Sequence, residues 1–150
     1  MKNSKYCTAS SVLEKLEQYI KDGYCRRVDD VYSELSIFDW WIYTLSVSNM
    51  KKMRIFLKEA IRLGFDGYVC FKLGASGCAN GMWAYKEEST DGYSPDGDFI
   101  YRSFSPDYTY WSFSINGTIF PSANEGGYNS LRTPNMLEKA MEEHNALSTM

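Results

Sequence analysis

FIYRSFSPDYTYWSFSINGTIF, residues 99–120, decides the fold of this chain. Apolar and polar residues alternate in 99–104 and in 108–115, on either side of a Ser-Pro-Asp turn, as is typical of two strands. Asn116-Gly117 then separates the second segment from Thr118-Ile119-Phe120, and Asn-Gly is a strong signal for a two-residue hairpin turn because both residues accept positive φ. The stretch therefore predicts an antiparallel meander.

Two further strands are predicted immediately before this meander. YVCFKL (68–73) is a short apolar run, and MWAYKEE (82–88) follows it after the glycine-rich loop GASGCANG (74–81). The turn-rich segment STDGYSPDGD (89–98) leads into residue 99. The sequence thus predicts a sheet of about five strands.

Helical spacing of apolar residues is clearest in two regions. Ser11-Val12-Leu13-Glu14 has the pattern of a capping box and predicts a helix over 11–22. Residues 49–63 predict an amphipathic helix with a methionine-rich apolar stripe, ended by Gly64. Thr133-Pro134 predicts the start of a C-terminal helix, because proline is favoured at the first helical position.

Two segments between the first helix and residue 49 are less regular. Residues 28–35 predict a second, shorter helix, although its aspartates and serine weaken the pattern. Residues 37–47, IFDWWIYTLSV, fit a strand slightly better than a helix, because they are rich in aromatic and β-branched residues. A strand here would form a βαβ-like unit with the helix over 49–63.

The order of elements predicts an α+β fold. N-terminal helices, a packed amphipathic helix and a C-terminal helix would lie against one antiparallel meander sheet. The 150 residues, 44% hydrophobic and 23% charged, have the composition of an ordinary globular protein. We therefore expect residues 1–150 to form one domain.

Composition argues against several classes of function. The first 23 residues carry charges throughout, and no stretch approaches the roughly 18 apolar residues of a membrane span, so we expect a cytoplasmic protein with no membrane contact. The four cysteines form no C-x-x-C pair, and reduced thiols are expected. With only one histidine, we expect no metal site, no cofactor and no His-based catalysis.

The glycine-rich loop is the first candidate for ligand binding. Ser76, Cys78 and Asn80 stand among glycines that let backbone N–H groups approach a ligand. The loop lacks the pattern of a phosphate-binding loop, and a purely structural role for its glycines is the alternative. Cys78 as the nucleophile of a small enzyme is a further alternative, although no base is evident near it in the sequence.

The aromatic strands are the second candidate. Alternation places Trp111 and Phe113 inward, and leaves Tyr108 and Tyr110 with two serines on the other face. The same alternation predicts a contribution to that face from neighbouring strands, by Tyr68, Lys72, Lys86 and Arg102. An aromatic and basic sheet surface stacks single-stranded bases or anchors a protein partner, whereas an ordinary solvated face is the alternative.

Charge is distributed unevenly along the chain. Residues 1–63 hold 11 Lys/Arg and 8 Asp/Glu, and residues 64–150 hold 5 and 11, although the whole chain has a net charge of −3. The basic face predicted for the helix over 49–63 consists of Lys51, Arg54, Lys58 and Arg62. This face can contact phosphates or an acidic protein, or be only the wet side of the helix.

Four runs carry a resemblance to known proteins. FDWW (38–41), GYVCFK (67–72), GCANGMWA (77–84) and GYSPDG (92–97) resemble segments of small uncharacterised proteins of Firmicutes and their mobile elements. The resemblance brings no catalytic residue with it. It implies a bacterial setting, phage or conjugative, in which small proteins such as anti-CRISPR proteins act by binding host machinery.

These observations favour a non-enzymatic protein-interaction module. An inhibitor of a host defence nuclease is the specific form that the resemblance suggests. A single-stranded nucleic-acid binder that uses the aromatic and basic sheet face is the first alternative, and the enzyme with Cys78 as nucleophile is the second. The sequence predicts no oligomeric state.

Overall fold

The computed structural model describes residues 8–21, 47–72, 81–87, 97–104, 110–121 and 131–148. Within these ranges lie three helices and five strands: α1 (Ala9–Lys21), α2 (Val47–Leu63), β1 (Tyr68–Lys72), β2 (Gly81–Tyr85), β3 (Phe99–Ser103), β4 (Trp111–Ile115), β5 (Thr118–Phe120) and α3 (Pro134–Ser148). None of the three helices has the length and apolar character that crossing a bilayer requires.

The five strands form one antiparallel sheet in the order β1-β2-β3-β4-β5, so each strand pairs with its neighbour in sequence. The predicted meander and the α+β class are confirmed. At the β4–β5 hairpin, Ile115 pairs with Thr118, and Asn116 and Gly117 have φ values of 53° and 82°. Positive φ at both turn residues is what the Asn-Gly sequence predicts for this turn.

The short helix predicted near 28–35 lies outside the described residues. The same holds for residues 37–46 of the strand predicted over 37–47. Val47 is described, and it is the first residue of α2 rather than the last residue of a strand. At this one position the prediction of a strand is wrong, because the helix begins two residues before the predicted start at 49.

The helices cover one face of the sheet, where the hydrophobic core lies. This inner face receives alternate strand residues, which are fully or almost fully buried: Val69, Phe71, Met82, Ala84, Ile100, Trp111, Phe113 and Ile115. From α2, Phe56 stacks on Trp111 with ring centroids 5.8 Å apart and planes 21° apart. This contact of two fully buried rings fixes α2 on the centre of the sheet.

The N-terminus of α1 differs from its prediction. Thr8 caps the helix, because its Oγ1 accepts a hydrogen bond from the Ser11 N–H at 3.2 Å. Ser11, the predicted cap, is three residues further on and donates its hydroxyl to the Thr8 carbonyl. Ser10 donates its N–H to Asp66 at 2.8 Å, so a carboxylate also stabilises the positive end of this helix and ties it to the segment before β1.

The C-terminus of α2 and the N-terminus of α3 match their predictions. Gly64, with φ of 88°, follows α2, and a pair of backbone hydrogen bonds from Gly64 to Ile61 and from Phe65 to Ala60 closes a Schellman motif. At α3, Thr133 Oγ1 accepts a hydrogen bond from the Met136 N–H at 3.2 Å, directly before Pro134. Glycine and proline thus mark these boundaries for the physical reasons used to predict them.

Candidate functional site

Strand register places a second set of residues at positions on the face opposite the helices, here called the outer face. These residues pair across the sheet with one another and alternate with the core residues: Tyr68, Cys70, Lys72, Gly81, Trp83, Tyr85, Phe99, Tyr101, Ser103, Ser112, Ser114 and Ile119. Tyr110 joins this face, because its carbonyl accepts the Ser103 N–H and its ring contacts Tyr101. Six of the thirteen are aromatic.

Five of these aromatic rings, here called the aromatic row, form two contacting groups on β2, β3 and the residue before β4. The ring centroids of Trp83 and Tyr101 are 4.5 Å apart, and those of Tyr101 and Tyr110 are 5.7 Å apart. Tyr85 and Phe99 lie 5.5 Å apart at the other end of the row. All five are partly buried. Because the rings tilt and support one another, they present a pre-ordered, amphipathic surface.

Gly81 makes room for this arrangement at the start of β2. A Cβ at this position would stand 2.5 Å from Tyr101 Cε1 and 2.7 Å from Cζ, closer than real Cβ atoms come to other atoms. The Tyr101 ring therefore lies directly over the backbone of Gly81. The glycine is required here by the close approach of an aromatic ring, and not by its own backbone angles.

Burial in the row changes the acidity of two phenols. It raises the pKa of Tyr85 to about 12, with smaller contributions from Cys70 and Tyr68. It also raises the pKa of Tyr101, where the neighbouring Tyr110 adds to the effect. Both hydroxyls are therefore neutral hydrogen-bonding groups at physiological pH, and neither is a general base.

The raised pKa values predict a loss of stability at alkaline pH. A tyrosine in the unfolded chain ionises near pH 10. Because Tyr85 ionises in the folded protein only at about 12, its contribution to stability is complete below pH 10 and declines as pH rises toward 12. We expect the free energy of unfolding, measured with urea, to fall across this interval. Tyr85→Phe should make the fall shallower, and an unchanged slope would contradict the assignment.

The strand register gives outer-face positions to three of the residues predicted for this face. Tyr68, Lys72 and Tyr110 occupy outer-face positions. Arg102 does not, and its predicted place is wrong: it pairs with Met82 and Trp111, and so belongs to the inner face below α2. Neighbouring residues of a strand point to opposite faces of the sheet. Because Tyr101 has an outer position on β3, Arg102 has an inner one.

Lys86 is also absent from the outer face. It follows β2, where its ammonium lies 5.2 Å from the centroid of the buried Phe65 ring and 4.0 Å from Asp98. Of the other predicted residues, Ser76, Cys78, Asn80 and Tyr108 lie outside the described part of the chain. The glycine-rich loop and its cysteine therefore stay predictions.

The predicted basic face of α2 is divided. Arg54 Nε binds Glu17 of α1 at 2.6 Å, and Arg62 binds Glu59 and Glu138. These contacts join α2 to its two neighbouring helices, so two of the four predicted basic residues form ion pairs within the protein. Lys51 and Lys58 are exposed to solvent on α2.

Other chemistry finds little support in the described residues. Cys70 lies on the outer face, and burial raises the pKa of its thiol to about 11, which leaves it protonated and weakly nucleophilic at neutral pH. His144 packs edge-on against Phe113, with centroids 5.8 Å apart. No group of three metal-ligating side chains occurs in the ranges described above.

Four rings of the aromatic row were not singled out in the sequence: Trp83, Tyr85, Phe99 and Tyr101. Their signal is present in the alternation of MWAY and FIYRS, because Met82, Ala84 and Ile100 take the inner positions. Applying the period of two to all strands at once would have found them.

The arrangement can stack against flat groups and cover apolar surface of another molecule, with hydroxyls available for hydrogen bonds. Comparison with known proteins adds no assignment to this geometry, since the chain matches no protein-family model, no curated protein and no solved structure.

Proposed function

We propose that this protein is a non-enzymatic protein-interaction module that binds its partner through the outer face. The observation that carries the proposal is the aromatic row, in which Trp83, Tyr101 and Tyr110 lie in ring contact on one side of the sheet. Tyrosine and tryptophan are enriched in protein interfaces because they bury a large area with little loss of side-chain entropy. The row therefore has the composition of a binding hot spot.

The charges of the outer face favour a protein partner over a nucleic acid. Affinity for nucleic acids comes mainly from cations that neutralise phosphates. Arg102 and Lys86 lie elsewhere, and Lys72 is the single Lys or Arg among the outer-face positions defined by the described strands. The net charge of the chain is −3. Single-strand binding is thus the weaker candidate, because bases would stack without sufficient neutralisation of their backbone.

The proposal also names a class of partner. A host defence nuclease of a bacterium, reached in the cytoplasm, is the partner that the sequence resemblance suggests. This supports the choice of a Firmicutes extract as the source of partners.

Site-specific photo-crosslinking tests the proposal. Trp83 is replaced by p-benzoylphenylalanine, which keeps a large aromatic group in the row. The control carries the same crosslinker at Ile55, which is 47% exposed on α2. After irradiation in a Firmicutes extract, we expect a discrete protein adduct from position 83 that is absent from position 55.

A second substitution makes the result quantitative. With the crosslinked protein purified, Tyr85→Ser should weaken its binding about 30-fold or more, the effect of removing an interface hot spot of about 2 kcal/mol. Ile55→Ser should leave the affinity unchanged. Equal adducts from both crosslinker positions would overturn the proposal. A purified chain that binds only an oligothymidylate, with steep salt dependence, would overturn it in favour of a nucleic-acid binder.

A further inference from the structure

Arg102, Lys52 and Trp111 meet where the N-terminal part of α2 crosses the ends of β3 and β4, a region here called the basic corner. Arg102 Nη1 donates to the carbonyl of Lys52 at 3.3 Å, and Lys52 Nζ donates to the carbonyl of Phe104 at 3.2 Å. The guanidinium carbon lies 5.1 Å from the centre of the Trp111 ring and 5.9 Å from that of Phe104. Two cations are therefore held at one place by neutral groups.

Hydrogen-bond donors in the basic corner exceed their acceptors. Arg102 Nε and Trp111 Nε1 are buried, and neither has a hydrogen-bond partner. Such buried donors are uncommon in folded proteins, because an unsatisfied donor loses its hydrogen bonds to water and gains none in return. Together with the two cations, they make this corner strongly electropositive.

The cations of the corner also lack a counterion. Among the described residues, Arg54 and Arg62 each bind a glutamate, whereas no carboxylate lies within salt-bridge distance of Arg102 or Lys52. Burial lowers the pKa of the Arg102 guanidinium, and no charged neighbour opposes this effect. A partly buried cation without a counterion is unfavourable unless an anion binds beside it.

We propose that the basic corner is a binding site for a phosphate group. A carboxylate would neutralise one of the two cations, whereas a phosphate monoester carries a charge of about −1.5 to −2 at pH 7 and neutralises both. Its several oxygens can also accept hydrogen bonds from more than one cationic donor at the same time. The guanidinium lies near two aromatic rings, and its planar donor fork matches the geometry of phosphate oxygens.

This site is independent of the proposed protein-binding function. Arg102 follows Tyr101 on β3, and consecutive strand residues point to opposite faces. The phosphate site therefore lies on the helix-covered side, and the aromatic row lies on the other. Either can be lost by substitution without removing the other.

Thermal unfolding of the full chain with inorganic phosphate tests the site. At a phosphate concentration about ten times the dissociation constant, we expect the unfolding midpoint to rise by roughly 3–6 °C relative to sodium chloride of equal ionic strength. Parallel samples with a nucleoside monophosphate identify the source of the phosphate. A larger shift with the nucleotide indicates a nucleotide ligand, and equal shifts indicate that phosphate alone is recognised.

Matched variants on one helix control this experiment. Lys52→Gln should abolish most of the shift, whereas Lys58→Gln, an exposed change six residues further along α2, should leave it intact. Arg102→Lys keeps the charge but removes the donor fork, and should reduce the shift if this variant folds. The proposal is overturned if neither anion raises the midpoint beyond sodium chloride, or if Lys52→Gln responds as Lys58→Gln does.

Discussion

Trp111→Ala lowers the free energy of unfolding by about 3–5 kcal/mol, the usual cost of removing a large aromatic side chain from a core. Trp111 is fully buried at the centre of the inner face, between Phe56 of α2 and the guanidinium of Arg102. Its removal leaves a cavity under α2 and ends the stacking that holds this helix on the sheet. Urea denaturation followed by circular dichroism measures the change.

The control for Trp111→Ala is Ile119→Ala. Ile119 lies on the edge strand β5 and is 59% exposed, so its truncation should change stability by no more than about 0.5 kcal/mol. Small domains have a total stability of about 5–15 kcal/mol, and Trp111→Ala therefore brings the chain close to unfolding. If the alanine variant is unfolded, Trp111→Phe supplies an intermediate measurement. Equal effects for Trp111→Ala and Ile119→Ala would contradict the described core.

Gly81→Ala is expected to destabilise the fold by about 1–3 kcal/mol, the usual cost of overpacking. The reason is the ring of Tyr101, which occupies the position that the new methyl group requires. The ring cannot move away freely, because it also contacts Trp83 and Tyr110. The same substitution should therefore displace the aromatic row and weaken partner binding. Denaturation and the binding assay measure the two effects on one protein.

A double-mutant cycle isolates this contact. In a Tyr101→Ala background, Gly81→Ala should cost only a few tenths of a kcal/mol, because the obstructing ring is gone. The difference between the two backgrounds measures the interaction between residue 81 and the ring. Additive costs would show that the glycine is required for a different reason.

Sequence reasoning predicted the sheet well because its signals were local. Asn116-Gly117 specifies a hairpin turn through backbone angles alone, and Gly64 and Pro134 mark helix boundaries in the same way. The period of two in β4 also placed Trp111 in the core. None of these predictions required knowledge of distant parts of the chain.

The prediction for Arg102 failed because the charge of a residue is a poor guide to which face of the sheet it occupies. A charged residue usually faces water, and this favoured the outer face. In β3, however, both faces carry large apolar groups, with Phe99 and Tyr101 on one and Ile100 on the other. The composition of the strand alone could not decide between them. The arginine is tolerated inside because its guanidinium makes a cation–π contact with Trp111 and donates a hydrogen bond to a carbonyl of α2.

The cap of α1 illustrates a smaller ambiguity. Thr8, Ser10 and Ser11 are all good N-cap residues, so their side chains alone do not select the first turn. In the structure Thr8 caps the helix, and Ser10 is bound by the distant residue Asp66, which no local pattern could predict. The aromatic row was missed for a similar reason, since it is assembled from several strands and no one of them predicts it.

The sequential strand order has a consequence for how this chain folds. Each strand pairs with the next one along the chain, so the sheet can grow by closing one hairpin after another, at a small entropic cost for each closure. The helices instead join residues far apart in sequence, as in the contacts of Ser10 with Asp66 and of Arg62 with Glu138. We expect the meander to form early and the helices to dock late, an order that pulse-labelling hydrogen exchange would reveal.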